Sequence, residues 1–227
     1  FDHSLVALRL SKIANGVSAI HSNVARKMWG KYEGIAPIIS ITNSQNKKYW
    51  ADEKMDKAAL DNNISALEIR KKELKYRLFI NLADQTGKWF DVNVLTIVWA
   101  RRFAGYKRAD LITRDLERFK TVFCNSKMPI QIIWAGKPYP KDNGAIEIFN
   151  ELVKFTADYP NIAIMTGYEM KLSKLLKQGS DIWLNNPRIP QEASGTSGMT
   201  AAMNASINLS TWDGWIPEFV ENGKNGF

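Results

Sequence analysis

Beyond Lys88 the chain alternates short apolar runs with stretches of helical periodicity, and no other feature limits its fold so tightly. Runs of this length bounded by turn signals and separated by helix-period segments are the signature of strand–helix–strand units, which require a parallel sheet covered by helices. Strands are expected at residues 92–98, 131–135, 162–165, 181–184 and 207–209, and helices at 108–124, 145–157, 169–178 and 197–203. The expectation is therefore an α/β fold, a Rossmann-like parallel sheet flanked by helices. Upstream, Leu5, Leu8, Ile13, Val17, Ile20 and Val24 have the spacing of one N-terminal helix over 5–29, kinked at Asn15-Gly16. Residues 33–50 read as loop with a short strand at 38–42. A helical tract over 52–84 closes at Gln85-Thr86-Gly87, with Gly87 as its cap.

Two clusters fall where ligands meet such a sheet. The first is Gln191-Glu192-Ala193-Ser194-Gly195-Thr196-Ser197-Gly198-Met199-Thr200-Ala201-Ala202-Met203-Asn204, a small-residue turn at a strand-to-helix junction. Its glycines permit unusual dihedrals and close approach, and the opening N–H groups of the helix face an anion. Glu192 has the chemistry to bind sugar hydroxyls. The bland alternative is that any such junction favours Ser, Thr and Gly. The second cluster, Trp99-Ala100-Arg101-Arg102-Phe103-Ala104-Gly105-Tyr106-Lys107-Arg108, puts four cations at a strand's carboxyl end. Arg forks and a Lys point charge there suit a phosphate; a solvated basic helix start is the alternative, disfavoured by the macrodipole.

Together with Leu10-Ser11-Lys12-Ile13-Ala14-Asn15-Gly16-Val17-Ser18-Ala19-Ile20-His21-Ser22, Thr42-Asn43 before Trp50, Trp134-Ala135-Gly136-Lys137, Thr166-Gly167-Tyr168 and Asp181-Ile182-Trp183-Leu184-Asn185-Asn186-Pro187-Arg188, these clusters resemble the α-glucan phosphorylase family, the glycogen and starch phosphorylases. Residues 181–214 most resemble its shorter branch. The resemblance implies one half of a two-domain GT-B-type glycosyltransferase: residues 1–50 as the end of the N-terminal domain, 51–90 as a helical connection, and 91–227 as an incomplete C-terminal catalytic domain. The chain is accordingly expected to be part of a longer polypeptide, a hexosyltransferase, and to be inactive alone.

The resemblance also implies site roles. Arg102 and Lys107 would serve phosphates, with Arg101 beside them. Gly195, Thr196 and Ser197 would cradle the phosphate of pyridoxal phosphate, with Tyr168 packed nearby or simply in the core. Glu192 and Ser194 would bind sugar hydroxyls, and Asn43 would contact the sugar, while Lys12 replaces a histidine of the longer members. One departure outweighs the matches. Where active relatives carry the lysine that holds pyridoxal phosphate as an imine, this chain has Thr200, whose hydroxyl cannot form one. Three readings stay open: a phosphorylase-like enzyme with an unanchored cofactor or weakened activity, a cofactor-independent sugar-nucleotide glucosyltransferase resembling glycogen synthase, and a noncatalytic glucan-binding module. Expected partners are an α-glucan and a sugar phosphate or sugar nucleotide, and the parent is expected to be cytoplasmic and to form a homo-oligomer.

Composition narrows the alternatives. With 227 residues and 45% hydrophobic content the chain can bury a core of one or two domains. A net charge of +8 admits nucleic acid as a partner, but part of that charge lies in 68–77, where interspersed carboxylates read as a solvated helix face with i,i+4 pairing. No nucleic-acid signature accompanies it. The single Cys124 excludes an internal disulfide framework and reads as semi-buried and structural. Only His3 and His21 are present, without metal-ligand spacing, so no metal is expected. No apolar run reaches the ~18 residues that suggest a membrane span.

Overall fold

The structure is a computed structural model that describes residues 2–125 and 127–227. Its centre is a five-stranded parallel sheet of β3 (Leu95–Ala100), β4 (Ile130–Ala135), β5 (Ile162–Met165), β6 (Ile182–Asn185) and β7 (Ile207–Ser210), in the spatial order β5-β4-β3-β6-β7. All four pairings are parallel. The order reverses at β3: the chain builds outward through β4 and β5, then returns to place β6 on the other side of β3. The crevice between the carboxyl ends of β3 and β6 is therefore the topological switch point, where open α/β sheets bind ligands.

β3 and β4 are buried along nearly their whole length, as central strands covered on both faces must be. Their side chains alternate between two cores with the period of two that strands impose. Val98, Ala100, Ile133 and Ala135 pack with Leu78, Phe79 and Leu82 of α5 (Ile64–Thr86) and with Leu172 and Leu176 of α8 (Met170–Gly179). Ile97, Trp99, Ile132 and Trp134 pack on the opposite face against Phe119 of α6 (Leu116–Phe123) and Leu152 of α7 (Asn143–Ala157).

Three expected helical tracts are divided or shortened in the structure. The tract over 5–29 is not one kinked helix. α1 (His3–Leu10), capped by Asp2, is separated from α2 (Ala19–Trp29), capped by Ser18, by the strand β1 (Ala14–Gly16). β1 pairs in parallel with β2 (Ile38–Ser40), which satisfies the backbone that Asn15-Gly16 takes out of the helix. The tract over 52–84 divides into α4 (Glu53–Leu60), capped by Asp52, and α5, capped by Asn63, after the short α3 (Lys47–Trp50). Gly87 does end α5 in the left-handed conformation, with its N–H bonded to the Ala83 carbonyl. The expected helix over 108–124 is replaced by two 3-10 turns, Gly105–Lys107 and Leu111–Thr113, followed by α6. Arg108 breaks it: its φ is +52°, and its guanidinium donates to the carbonyls of Asn186 and Pro187 at 2.7 and 3.0 Å. The first strand begins at Leu95 rather than residue 92, because 91–94 form a turn with Val94 N–H on the Asp91 carbonyl.

The basic stretch 68–77 is not simply a solvated face. Arg70 and Lys75 are buried, and Lys71 places its ammonium on the carbonyls of Gln178, Ser180 and Asn204 at 3.2, 2.8 and 2.6 Å. Lysine there meets the carbonyl-rich ends of α8 and of α9 (Thr196–Ala202), where a cation is favoured. Lys75 pairs with Asp181 at 2.5 Å. Part of the basic charge of this stretch is thus held inside the fold rather than presented to solvent. Cys124 is exposed rather than semi-buried.

Lys177, at 4% exposure, is buried with its ammonium 3.6 Å above the Trp50 ring centroid. Burial lowers its pKa from the ordinary 10.5 to about 8. A folded-state pKa below the unfolded one means that the unfolded chain holds the proton more tightly, so stability rises as pH increases from about 8 to 10.5. Lys177→Met is expected to raise the melting temperature at neutral pH and to make this alkaline rise shallower. Melting curves across that range check it; an unchanged slope contradicts it.

Candidate active site at the sheet switch point

The residues following β3 and β6 build the crevice. Arg101 is 7% exposed and turns its guanidinium toward β6, where it donates to the Asn185 side-chain oxygen and, at 3.1 Å, to the Leu184 carbonyl. Among the described residues its Nε has no hydrogen-bond partner. Burial lowers its pKa to about 10, opposed by the nearby Glu192, so it is charged at neutral pH. Lys107 pairs with Glu192 across 85 residues of sequence, and both side chains are largely buried. Ser194 is 6% exposed, and among the described residues its hydroxyl is likewise without a partner. Arg101, Asn185, Glu192, Ser194, Gly195, Ser210, Asp213 and Trp215 are among the residues lining one cavity, whose free space of about 10 Å³ is near the threshold for a single water. Glu192, held by Lys107, is thus part of the wall of a nearly filled space.

The four expected cations are therefore divided. Arg101 and Lys107 point into the crevice, and Arg108 is spent on main-chain carbonyls. Arg102 is exposed and lines a separate cleft of about 400 Å³ with Lys137, Tyr139 and Tyr168. Tyr168 packs against the core, donates to the Ala100 carbonyl at 3.2 Å and lies 3.2 Å from the Ser173 hydroxyl, so it is both core and cleft wall. Burial raises its pKa. Asn43 donates its N–H to the Val17 carbonyl, and the adjacent Ser18 hydroxyl donates to the Ala193 carbonyl, which brings the N-terminal segment onto the Glu192 loop. The Asn43 side chain itself is exposed.

The two glycines of the turn play different parts. Gly195 takes φ +82° at the start of α9, the left-handed geometry foreseen for it. Gly198 is instead in the helix and serves close approach: a Cβ there would lie 2.5 Å from Asn208 Oδ1 and 2.9 Å from Asn185 Nδ2. Ser197 accepts from Trp183 Nε1 at 3.4 Å. Thr200 is 1% exposed and its hydroxyl donates to the Ser197 carbonyl at 3.0 Å, inside its own helix. The opening N–H groups of Thr196 and Ser197 suit a phosphate, but no amine stands at position 200 for an aldehyde. These residues do not fit a cofactor held as an imine on α9. Among the described residues no cluster of acidic, His or Cys side chains could hold a metal, and no helix is long and apolar enough to cross a membrane.

Residues 45–224 match the carbohydrate phosphorylase family. The chain belongs to that family. It is 50% identical, over 97% of its length, to 42% of a protein of Methanocaldococcus jannaschii described only as uncharacterized. It is 34% identical over its whole length to 32% of a maltodextrin phosphorylase of Thermococcus litoralis, and 34% identical to a glycogen phosphorylase of Aquifex aeolicus, of which it covers 39%. The chain thus spans less than half the length of these relatives. Its parallel sheet with flanking helices is the half-domain architecture expected of a GT-B phosphorylase.

Asn185, Asp213 and Trp215 were not singled out as site residues from sequence. Asn185-Asn186-Pro187 and Asp213-Gly214 carry turn chemistry at the ends of strands and lie in the stretch 181–214 that carries the family resemblance. Their partners, Arg101 and the Glu192 loop, are distant in sequence.

Proposed function

We propose that this phosphorylase-family chain supplies the phosphate- and sugar-binding half of a glucosyl-transfer site acting on α-1,4-glucans, moving glucose to or from phosphate. The observation that carries the reading is the Lys107–Glu192 ion pair at the switch point, beside a buried Arg101 and Ser194 that each leave a polar atom unpartnered. An incoming phosphate takes Lys107 from Glu192, and the freed carboxylate, with the Ser194 hydroxyl, receives sugar hydroxyls. Arg101, and Arg102 from the adjoining cleft, add positive charge where phosphate and transition-state charge must be held. Residues 1–50, 51–90 and 91–227 are read as the end of one domain, a connection and the incomplete second domain, the complementary acceptor surface lying outside this chain. By itself the chain is expected to show no turnover.

Thr200 favours a second reading. A sugar nucleotide also presents phosphates to this crevice and needs no aldehyde anchor. The deciding experiment is thermal unfolding with pyridoxal phosphate, glucose 1-phosphate, ADP-glucose and UDP-glucose in turn. A ligand at about 100 times its dissociation constant adds roughly 2.7 kcal/mol. Stabilisation by glucose 1-phosphate supports glucosyl transfer to phosphate, stabilisation by a sugar nucleotide alone selects the second reading, and no response to any of the four overturns both. Borohydride treatment with pyridoxal phosphate is expected to leave α9 unlabelled, whereas Thr200→Lys is expected to give a reducible adduct at residue 200. Absence of a reducible adduct at residue 200 in Thr200→Lys contradicts the placement of that position beside the phosphate-binding turn.

A further inference from the structure

Residues 192–195, which carry Glu192 and Ser194 into the crevice, belong to no helix or strand, yet each has a main-chain group held from outside the loop. Asp213 Oδ2 accepts the N–H of Glu192 at 2.9 Å. The Ser18 hydroxyl donates to the Ala193 carbonyl at 2.7 Å. Trp215 donates its N–H to the Ser194 carbonyl and its indole N–H to the Gly195 carbonyl, both at 3.0 Å. Three of the four ties therefore come from Asp213-Gly214-Trp215, the turn after β7.

Asp213 is 2% exposed, and its other oxygen accepts the Gly214 N–H at 2.9 Å. A carboxylate buried beside Glu192 is costly, and burial raises its pKa, opposed by the Glu192 and Gly214 N–H groups. Among the described residues no cation forms an ion pair with it. What it does is hold two N–H groups at once, one of them at the residue whose side chain reaches Lys107.

We propose that Asp213 is a positioning residue, which with Trp215 clamps the 192–195 loop and sets where the Glu192 carboxylate stands relative to Lys107. Its effect on sugar binding rests on the function proposed above; the clamp itself does not. The test compares Asp213→Ala and Asp213→Asn in this chain by amide hydrogen exchange and by calorimetric titration with a maltooligosaccharide and with inorganic phosphate. Asp213→Ala is expected to lose protection at the Glu192 amide while β3 and β4 keep theirs, and Asp213→Asn, which retains an acceptor oxygen, is expected to restore most of it. Sugar affinity is expected to fall by about tenfold or more in Asp213→Ala, the loss of a hydrogen bond to a charged group, with a much smaller change in phosphate affinity. Unchanged exchange at Glu192, or equal acceleration across the whole sheet, overturns the proposal. So does a parallel fall in sugar and phosphate affinity. Should the unaltered chain bind no maltooligosaccharide, its acceptor surface lying outside this chain, the exchange data still decide the clamp.

Discussion

Lys107→Met is expected to lower affinity for inorganic phosphate on the order of a hundredfold. Lys107 closes the 3-10 turn after β3, its side chain is 12% exposed, and Glu192 at 13% exposure is its ion-pair partner. Removing the ammonium acts twice: the crevice loses the point charge that meets the anion, and Glu192 is left as an uncompensated negative charge facing it. Truncating one member of a buried charge pair typically costs about 2–5 kcal/mol, and ~2.7 kcal/mol corresponds to about a hundredfold. Glu192→Gln moves the balance the other way. It removes the internal competitor for Lys107, so phosphate affinity is expected to rise while sugar affinity falls. Titration calorimetry with phosphate checks both; unchanged affinity in Lys107→Met means that the anion binds elsewhere, and the cleft with Arg102 and Lys137 becomes the alternative.

The largest expected stability effect is at Arg70. Its guanidinium meets Asp52 with both arms, Nε on Oδ1 at 2.9 Å and a terminal nitrogen on Oδ2 at 2.7 Å, with side chains 10% and 11% exposed. Asp52 also caps α4 by accepting the Met55 N–H, and its own N–H donates to Asn204 at the end of α9. The pair thus joins α4, α5 and the helix beneath the site. Arg70→Met strands the carboxylate, and breaking such a pair costs about 3–5 kcal/mol, a fall of roughly 10 °C in melting temperature for a domain of this size. The pH dependence follows from the hydrogen bond to Arg70, the main cause lowering the Asp52 pKa below 3.8. A lowered carboxylate pKa contributes stability that is present above the unfolded value and lost as pH falls through the folded one. The gap between parent and variant is therefore expected to be full at neutral pH and to narrow as acid protonates Asp52. A gap that persists undiminished in strong acid would assign the loss to packing of the Arg70 stem instead.

Much of this architecture was legible in the chain. The expected strands overlap all five strands of the main sheet; β3 and β4 are nearly continuous apolar runs because they are buried on both faces, whereas the edge strand β7 exposes Ile207 and Leu209. Gly87 ended its helix as expected, since a left-handed cap favours glycine. Helix starts were less legible. Ser18 and Asn63 cap new helices inside what looked like continuous tracts, because an apolar period does not by itself mark where one helix stops and the next begins. Arg108 was read as a helical residue, but carbonyls from residues 186 and 187 hold it out of helical geometry, and that contact is remote in sequence.

For the candidate site, the sequence determined the chemical inventory: Arg101, Arg102, Lys107, Glu192 and Ser194 at strand ends, and a threonine at position 200 that rules out an imine there. Residue type alone settles what a side chain can donate, accept or bond. Only the tertiary structure decided how that inventory is used. It divided the cations between a crevice and a separate cleft, paired Lys107 with Glu192, and brought Asp213 and Trp215 onto the loop. Charges and hydrogen bonds act over a few ångströms of space, and the sheet's reversal at β3 sets together segments separated by some eighty residues of chain.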